Sequence, residues 1–189
     1  MSDLFQKNVS DQIAVLQKLQ ALTDVVNQAG QLAVEALQSG GKLMFCGNGG
    51  SAADSQHLAA ELTGRFIKDR RPLAAVALST DTSALTCIGN DYSFDEVFAR
   101  QVTGLGRSGD LLIGISTSGN SRNVIRAVEE ARAAGMKVVG LLGRDGGKLR
   151  EMCDVAIVVP SDVTARIQES HILIGHTLCG LIEQKMGLA

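Results

Sequence analysis

Short apolar runs that alternate with helical segments constrain the fold of this chain more than any other feature. Five such runs have the length of buried strands, and they lie at residues 42–46, 74–78, 110–115, 137–142 and 154–160. Segments with helical periodicity, including 95–105, separate them, and the connections are short. One of these connections, Gly89-Asn90-Asp91, predicts a turn. Strands that alternate with helices pair in parallel and carry helices on both faces. The sequence therefore predicts an α/β fold, a three-layer αβα sandwich around a five-stranded parallel sheet.

A long amphipathic segment precedes the first strand. Apolar residues recur at three and four positions through residues 3–39, with a weak interruption at 21–24, and a Ser-Gly-Gly sequence ends the pattern. We predict a single domain, 1–189, with a helical arm at 1–40 and an α/β core at 41–189. The first half of the arm can pack on a second subunit or fold back on its own sheet, and we favour an intersubunit bundle.

Composition excludes several classes of function. The net charge is −2 and the chain has one tyrosine and no tryptophan, so neither electrostatics nor base stacking favours nucleic acid or an anionic membrane. The N-terminus lacks the basic and apolar regions of a signal peptide, and no apolar run approaches the ~20 residues of a membrane helix. The four cysteines have no C-x-x-C spacing and predict small core residues in a reducing, cytoplasmic compartment.

A glycine-rich corner follows the first predicted strand. Gly47-Asn48-Gly49-Gly50-Ser51 leads into an Ala- and Leu-rich segment at 51–62 that predicts a helix. The glycines allow positive φ and close backbone approach, and we expect Ser51 to cap the helix. Unpaired N–H groups at a helix N-terminus favour an anion. The spacing matches neither the dinucleotide nor the P-loop pattern, and a tight turn without a ligand is the alternative.

A second polar corner follows the third predicted strand. Ser116-Thr117-Ser118-Gly119-Asn120-Ser121 carries four hydroxyl groups directly before the helix predicted at 122–134. Hydroxyl and backbone N–H groups at a helix N-terminus can bind phosphate without a lysine, although a serine-rich loop alone is usually only a loop. Ligands in open α/β sheets bind at the carboxyl ends of the strands, where both corners are expected. Together the two corners favour an anionic ligand.

Two helices carry residues suited to metal binding or proton transfer. His57 and Glu61 are four residues apart and share one helix face. This spacing alone is more typical of a surface pair than of a metal or acid–base site. In the last predicted helix, 164–185, Gln168 and His176 lie along one side. A polar residue on a helix face is usually a satisfied surface or core group.

Five motifs in order give the chain a specific resemblance. They are Cys46 to His57, Ala60-Glu61-Leu62-Thr63-Gly64-Arg65-Phe66, Ile88-Gly89-Asn90-Asp91-Tyr92, Ser116 to Ser121, and Ala165-Arg166-Ile167-Gln168-Glu169 with His176. The chain resembles the sugar isomerase (SIS) domain family, whose sheet is flavodoxin-like, and within it the bacterial phosphoheptose isomerases. The resemblance covers nearly the whole chain. It implies an aldose–ketose isomerase that converts sedoheptulose 7-phosphate to D-glycero-D-manno-heptose 7-phosphate for the lipopolysaccharide core.

The resemblance also implies roles for individual residues. Glu61 and His176 match the acid–base pair of the family. The matching substrate-binding positions are Asn48, Gly49, Gly50, Ser51, Glu61, Asn90, Asp91, Ser116, Thr117, Ser118, Ser121 and Gln168. Some family members look to carry zinc on positions that match His57, Glu61, Gln168 and His176. The family is typically a homotetramer with sites built between subunits, which implies a homo-oligomer here.

Three points stay open at the level of the sequence. A glutamate or histidine bound to zinc is a poorer base than a free one, so the metal is labile or the roles are shared. Some relatives carry aspartate where this chain has Ala165, so a contact to a sugar hydroxyl is missing or supplied by Thr164. A non-catalytic relative binds the replication initiator, and other SIS proteins are sugar-phosphate sensors. The chain keeps Glu61 and His176, which favours the isomerase over the initiator-binding alternative.

Overall fold

A computed structural model describes residues 3–188, which form seven α-helices and five strands. The strands are β1 (Leu43–Gly47), β2 (Ala75–Ala77), β3 (Leu111–Ser116), β4 (Lys137–Gly143) and β5 (Val155–Val159). The helices are α1 (Leu4–Leu19), α2 (Thr23–Gln38), α3 (Gly50–Thr63), α4 (Thr82–Asp91), α5 (Ala99–Leu105), α6 (Arg122–Ala133) and α7 (Thr164–Lys185). Short 3-10 turns lie at Gln20–Leu22, Phe94–Glu96 and Lys148–Met152.

All five strands pair in parallel in the order β2-β1-β3-β4-β5. The predicted parallel sheet is thereby confirmed. The chain places β2 on one side of β1 and then crosses to the other side to add β3. Such a switch point between β1 and β3 places a crevice at the carboxyl ends of these two strands. Gly47 at the end of β1 aligns with Ile115 near the end of β3. The two polar corners therefore leave the same edge of the sheet side by side.

The sheet separates two apolar layers, as predicted for a three-layer sandwich. One layer packs the sheet against α2, α3 and α7 through residues such as Val34, Leu58 and Leu178. The other packs it against α5 and α6 through Val102, Val124 and Val128, with Ile88 of α4 at its margin. Central strands with helices on both faces are apolar throughout, and β1 and β3 are buried at every position.

The N-terminal arm consists of two helices, because the 3-10 turn interrupts it close to the predicted weak point. The second helix, α2, belongs to the core of its own chain, with six of its residues buried. The first, α1, lies on α7, where Arg166 donates to the carbonyl of Asn8 (2.6 Å) and Gln12 to Ser170 (3.3 Å). Val15 is its one buried residue among those described. Most of the apolar surface of α1 is therefore exposed.

Three local predictions are wrong. Gly89, Asn90 and Asp91 form the last turn of α4 and not a separate turn, because the N–H of Tyr92 still donates to the carbonyl of Ile88 (3.0 Å). The helix predicted at 95–105 begins only at Ala99, since residues 94–97 form 3-10 bonds and Glu96 pairs with a neighbouring helix. Cys87 is exposed on α4 and is not a core residue.

No helix within residues 3–188 combines the length and the apolar character needed to cross a membrane.

Candidate active site

The first corner is shaped by glycine. Gly49 has φ +56° and precedes α3, which starts at Gly50. The expected cap by Ser51 is wrong, since the helix begins one residue earlier and Ser51 is buried inside its first turn. A Cβ on Gly50 would lie 2.5 Å from Nε2 of Gln168, so the amide of Gln168 lies directly against the backbone of this glycine. The corner therefore brings Gln168 to the N-terminus of α3.

The second corner is a compact hydroxyl cluster at the start of α6. The Oγ atoms of Ser116, which is buried, and Ser121 lie 2.9 Å apart, and Oγ of Ser118 accepts from the N–H of Asn120 (3.2 Å). Gly119 has φ +64°, and a Cβ there would lie 1.8 Å from the carbonyl oxygen of Gly146. Ser121 precedes α6 without a side-chain bond to its N–H groups. The geometry leaves the first turn of α6 uncapped by its own side chains.

A pair of amides joins the two corners. Nδ2 of Asn48 donates to Oδ1 of Asn123, and Nδ2 of Asn123 donates back to Oδ1 of Asn48, each over 2.8 Å. Asn123 lies in the first turn of α6 and is buried. Two reciprocal bonds fix both side chains more firmly than one would. The polar ends of β1 and β3 are thus held at a fixed separation.

Two histidines and a glutamate converge between α3 and α7. Nε2 of His57 lies 2.8 Å from Nε2 of His176 and 3.4 Å from Oε1 of Glu61. One ligand atom from each of the three lies within 4.8 Å of the others, so the group could hold a metal ion. The Glu61 side chain is 21% exposed, which leaves it partly desolvated. The His176 ring stacks on Phe66, with centroids 5.5 Å apart and planes inclined by 25°.

Three further predicted site residues lie on α7 and α4. Gln168 is half-buried, two turns before His176 on α7, with its amide against the first corner. Asn90 and Asp91 lie at the exposed end of α4 and bond to each other, Nδ2 to Oδ1, over 2.8 Å. Sγ of Cys87 also approaches Asp91 (3.4 Å), and these bonds lower the pKa of that carboxyl. Among the described residues, the side-chain hydrogen bonds of Asn90 and Asp91 join only these two residues and Cys87.

Known proteins identify the family of this chain. The family model described as "SIS domain" matches residues 5–143. The chain is 65% identical over 153 residues to the phosphoheptose isomerase of a Nitratiruptor species, covering 81% of this chain and 82% of that protein. It is 54% identical over 185 residues to a phosphoheptose isomerase of Helicobacter pylori, covering 97% and 96%. The chain belongs to the phosphoheptose isomerases of the SIS domain family.

Solved structures of phosphoheptose isomerases have the same fold. The structure of GmhA from Neisseria gonorrhoeae superposes with a TM-score of 0.91 at 52% identity, covering 95% of this chain and 97% of that one. The enzyme from Francisella tularensis superposes with a TM-score of 0.92 at 42% identity, covering 97% and 100%. The resemblance inferred from the five motifs is confirmed, and this SIS domain is an isomerase.

Sequence reasoning missed an acidic residue beside the histidines. Asp54 lies one helical turn before His57 on α3, and its Oδ2 atom is buried with no hydrogen-bond partner among residues 3–188. Burial raises the pKa of Asp54, and the nearby His57 and His176 lower it in part. A buried carboxylate oxygen without a partner is uncommon and costly. The spacing of three residues from His57 was the available signal in the sequence.

The third histidine of the chain has a structural role. Nε2 of His171 lies 2.9 Å from the carbonyl oxygen of Leu142 in β4, and the ring is fully buried. Burial lowers the pKa of His171 to about 4, so the ring is neutral at physiological pH. His171 and His176 are five residues apart, which places them on different sides of α7. Only two histidines therefore belong to this SIS domain's candidate site.

Proposed function

We propose that this isomerase converts sedoheptulose 7-phosphate to D-glycero-D-manno-heptose 7-phosphate, the first step towards ADP-heptose for the lipopolysaccharide core. The observation that carries the proposal is the convergence of Glu61, His57 and His176 beside two polar corners that leave one sheet edge. The names of the relatives support it, because they are phosphoheptose isomerases at high identity over most of the chain. NMR of the reaction mixture tests it.

Glu61 and His176 have the chemistry that the reaction needs. A ketose becomes an aldose when one proton moves from C1 to C2 and another moves between the two oxygens, through an enediolate. In our proposal Glu61 removes the proton from C1 and returns it to C2. His176 moves the other proton between O1 and O2, since imidazole suits that task near neutral pH. The partial desolvation of Glu61 supports its role as the carbon base.

The two corners would hold the rest of the substrate. We place the phosphate among the hydroxyl groups of Ser51, Ser116, Thr117, Ser118 and Ser121. The uncapped first turn of α6 supports this placement, because its N–H groups and its dipole favour an anion. We assign the sugar hydroxyls to Asn48, Gly49, Gly50, Asn90, Asp91 and Gln168. Binding of the remote phosphate then positions C1 and C2 against the acid–base pair.

Replacing Ser121 by alanine is expected to weaken substrate binding more than catalysis. The hydroxyl is half-buried at the second corner, and the variant loses one bond to the phosphate, so KM should rise about tenfold with a nearly unchanged kcat. Steady-state kinetics measure both constants. Ser108→Ala is the matched control, because Ser108 is exposed at the opposite edge of the sheet. An unchanged KM in Ser121→Ala would contradict the placement of the phosphate.

We further propose that the metal site takes zinc, held by His57, Glu61 and His176 with Gln168 as a fourth ligand. Imidazole nitrogen and carboxylate oxygen are zinc ligands, and three of them already converge, so the donor set fits the ion. When bound, zinc supplies Lewis acidity that polarises the carbonyl and stabilises the enediolate. Glu61 and His176 belong to both the ligand set and the acid–base pair, and His57 belongs to the ligand set alone.

We also propose that the protein is a homo-oligomer, most simply a tetramer, that works in the cytoplasm on this soluble sugar phosphate. Exposed apolar side chains on α1 support the assembly, since Phe5 is 73% and Ile13 50% exposed and Val9 lies between them on the same face. The four cysteines are free thiols, which supports a reducing compartment.

A charge on the exposed face of α1 should separate the subunits. Glutamate in place of both Val9 and Ile13 is expected to yield a smaller species in light scattering coupled to size-exclusion chromatography, because like charges would face each other across the apolar contact. Ala14→Glu is the matched control, since Ala14 is exposed on a different face of α1. A wild-type protein that elutes as a monomer would contradict the proposed assembly.

A further inference from the structure

A buried ion pair joins the end of α7 to the segment that follows α3, and these two helices carry the proposed acid–base residues. Nε of Arg70 donates to Oε1 of Glu183 over 2.8 Å, and the two side chains are 2% and 0% exposed. Arg70 comes from the irregular segment that follows α3, whereas Glu183 lies near the end of α7. None of the motifs in the sequence contains either residue. A fully buried pair is costly unless further hydrogen bonds satisfy both groups, and here they do.

Arg70 holds the end of the helix that carries Glu61. Its Nη2 group donates to the carbonyl of Glu61 itself (2.8 Å), and its Nη1 group donates to the carbonyls of Leu62 (2.8 Å) and Gly64 (2.9 Å). The last carbonyls of a helix have no partner within the helix, and a cation there is favoured by the helix dipole. The guanidinium therefore caps α3 at the turn from which the Glu61 side chain departs.

Glu183 holds the segment that supports His176. Its Oε1 accepts from the N–H of Phe66 (3.1 Å) and its Oε2 from that of Ile67 (3.3 Å). Burial raises the pKa of Glu183, but the bonds from Phe66, Arg70 and Ile67 outweigh it and hold that pKa below its ordinary value. The Phe66 ring in turn stacks on the imidazole of His176. Glu183 also lies two turns after His176 on α7, on the same side of the helix.

We propose that Arg70 and Glu183 are positioning residues that fix the distance between Glu61 and His176. The pair touches the backbone of the first and, through Phe66, the ring of the second. Within residues 3–188, none of the hydrogen bonds of the pair reaches either of the two polar corners. Loss of the pair should therefore disturb proton transfer more than binding of the phosphate. This inference rests on the proposed isomerase function.

The chain offers a matched control at the other edge of the sheet. Asp110 also accepts from two backbone N–H groups, those of Lys42 and Arg107 (2.9 Å each), and from a cation, the Nζ of Lys42. Burial raises the pKa of Asp110, and these bonds lower it overall, as for Glu183. Lys42 and Asp110 precede β1 and β3, at the amino ends of the strands. Glu183→Gln and Asp110→Asn thus remove the same kind of interaction, one near the site and one far from it.

Both variants should melt at lower temperature than the wild type, but only Glu183→Gln should lose activity. When Glu183→Gln is assayed well below its melting temperature, we expect kcat to fall about tenfold or more with KM little changed. The reason is that a small displacement of the reacting groups slows catalysis strongly. Asp110→Asn should keep the wild-type kcat. If Glu183→Gln does not fold, Arg70→Lys replaces it: lysine keeps the charge opposite Glu183 but loses most of the bonds to carbonyls, and the same fall in kcat is expected.

A zinc titration against a competing chelator provides a readout that does not depend on activity. Displacement of Glu61 and His176 should raise the apparent Kd for zinc about tenfold in Glu183→Gln and leave it unchanged in Asp110→Asn. Folded Glu183→Gln and Arg70→Lys variants with wild-type kcat and zinc affinity would overturn the inference, as would an equal loss in Asp110→Asn. A wild-type protein without turnover would count against the proposed function, and the zinc titration would then test the pair by itself.

Discussion

Replacing Glu61 by glutamine is expected to lower kcat about a thousandfold, since a positioned base typically contributes that much and an amide cannot accept the proton from C1. KM for sedoheptulose 7-phosphate should change little, because the corners proposed to bind the phosphate stay intact. The assay is run at saturating zinc, so that a weaker metal site does not account for the loss. Conversion of sedoheptulose 7-phosphate followed by NMR gives the rate.

Glu35→Gln is the matched control for this prediction. Glu35 is an exposed residue of α2 whose carboxylate accepts from Gln31 (3.0 Å), so its replacement makes the same chemical change far from the site. The control should have wild-type kinetics and stability. A loss of less than about tenfold in Glu61→Gln would show that Glu61 is not the base.

Removal of the metal is the second change with a large expected effect. Lewis-acid stabilisation is worth several kcal/mol, so a strong chelator should lower kcat about a hundredfold or more. Stoichiometric zinc should restore the activity. The chelator should also lower the melting temperature of the wild type, because an ion bound only by the folded state stabilises it. Elemental analysis before and after treatment measures the zinc content.

His57→Ala separates the role of the metal from that of the acid–base pair. His57 contributes a ligand atom to the cluster but takes no proton in the proposed reaction. We expect this variant to resemble the chelated wild type and to respond to chelator in neither activity nor melting temperature. Full activity in a wild-type protein shown to be free of metal would contradict the zinc proposal.

The architecture could be predicted from the sequence because it depends on short-range patterns. Short apolar runs that alternate with segments of helical periodicity predict a parallel sheet. Both patterns can be recognised in the sequence without knowledge of any contact. The predictions failed where tertiary packing opposed a local preference. Glycine, asparagine and aspartate at 89–91 favour a turn, yet α4 continues through them. Periodicity alone assigned residues 95–105 to one helix. In the structure Glu96 pairs with Arg126 of α6 and lies in a 3-10 turn before α5 begins.

Residues of the candidate site could be predicted where they belong to sequence motifs. Residues that act through contacts between distant parts of the chain could not be predicted from the sequence. The family resemblance singled out Glu61 and His176, and the structure brings their side chains together with that of His57. Arg70 and Glu183 are 113 positions apart and lie outside every motif, so only the folded chain shows that they meet. The reciprocal bonds of Asn48 and Asn123 are likewise a property of two corners from different parts of the chain.

NMR of sedoheptulose 7-phosphate incubated with the purified wild-type protein tests the proposed isomerisation directly. We expect signals of an aldoheptose 7-phosphate to appear, and to be absent with Glu61→Gln at the same protein concentration. Binding of the substrate without any turnover would contradict the claim. The protein would then be a SIS domain that binds the sugar phosphate without isomerising it.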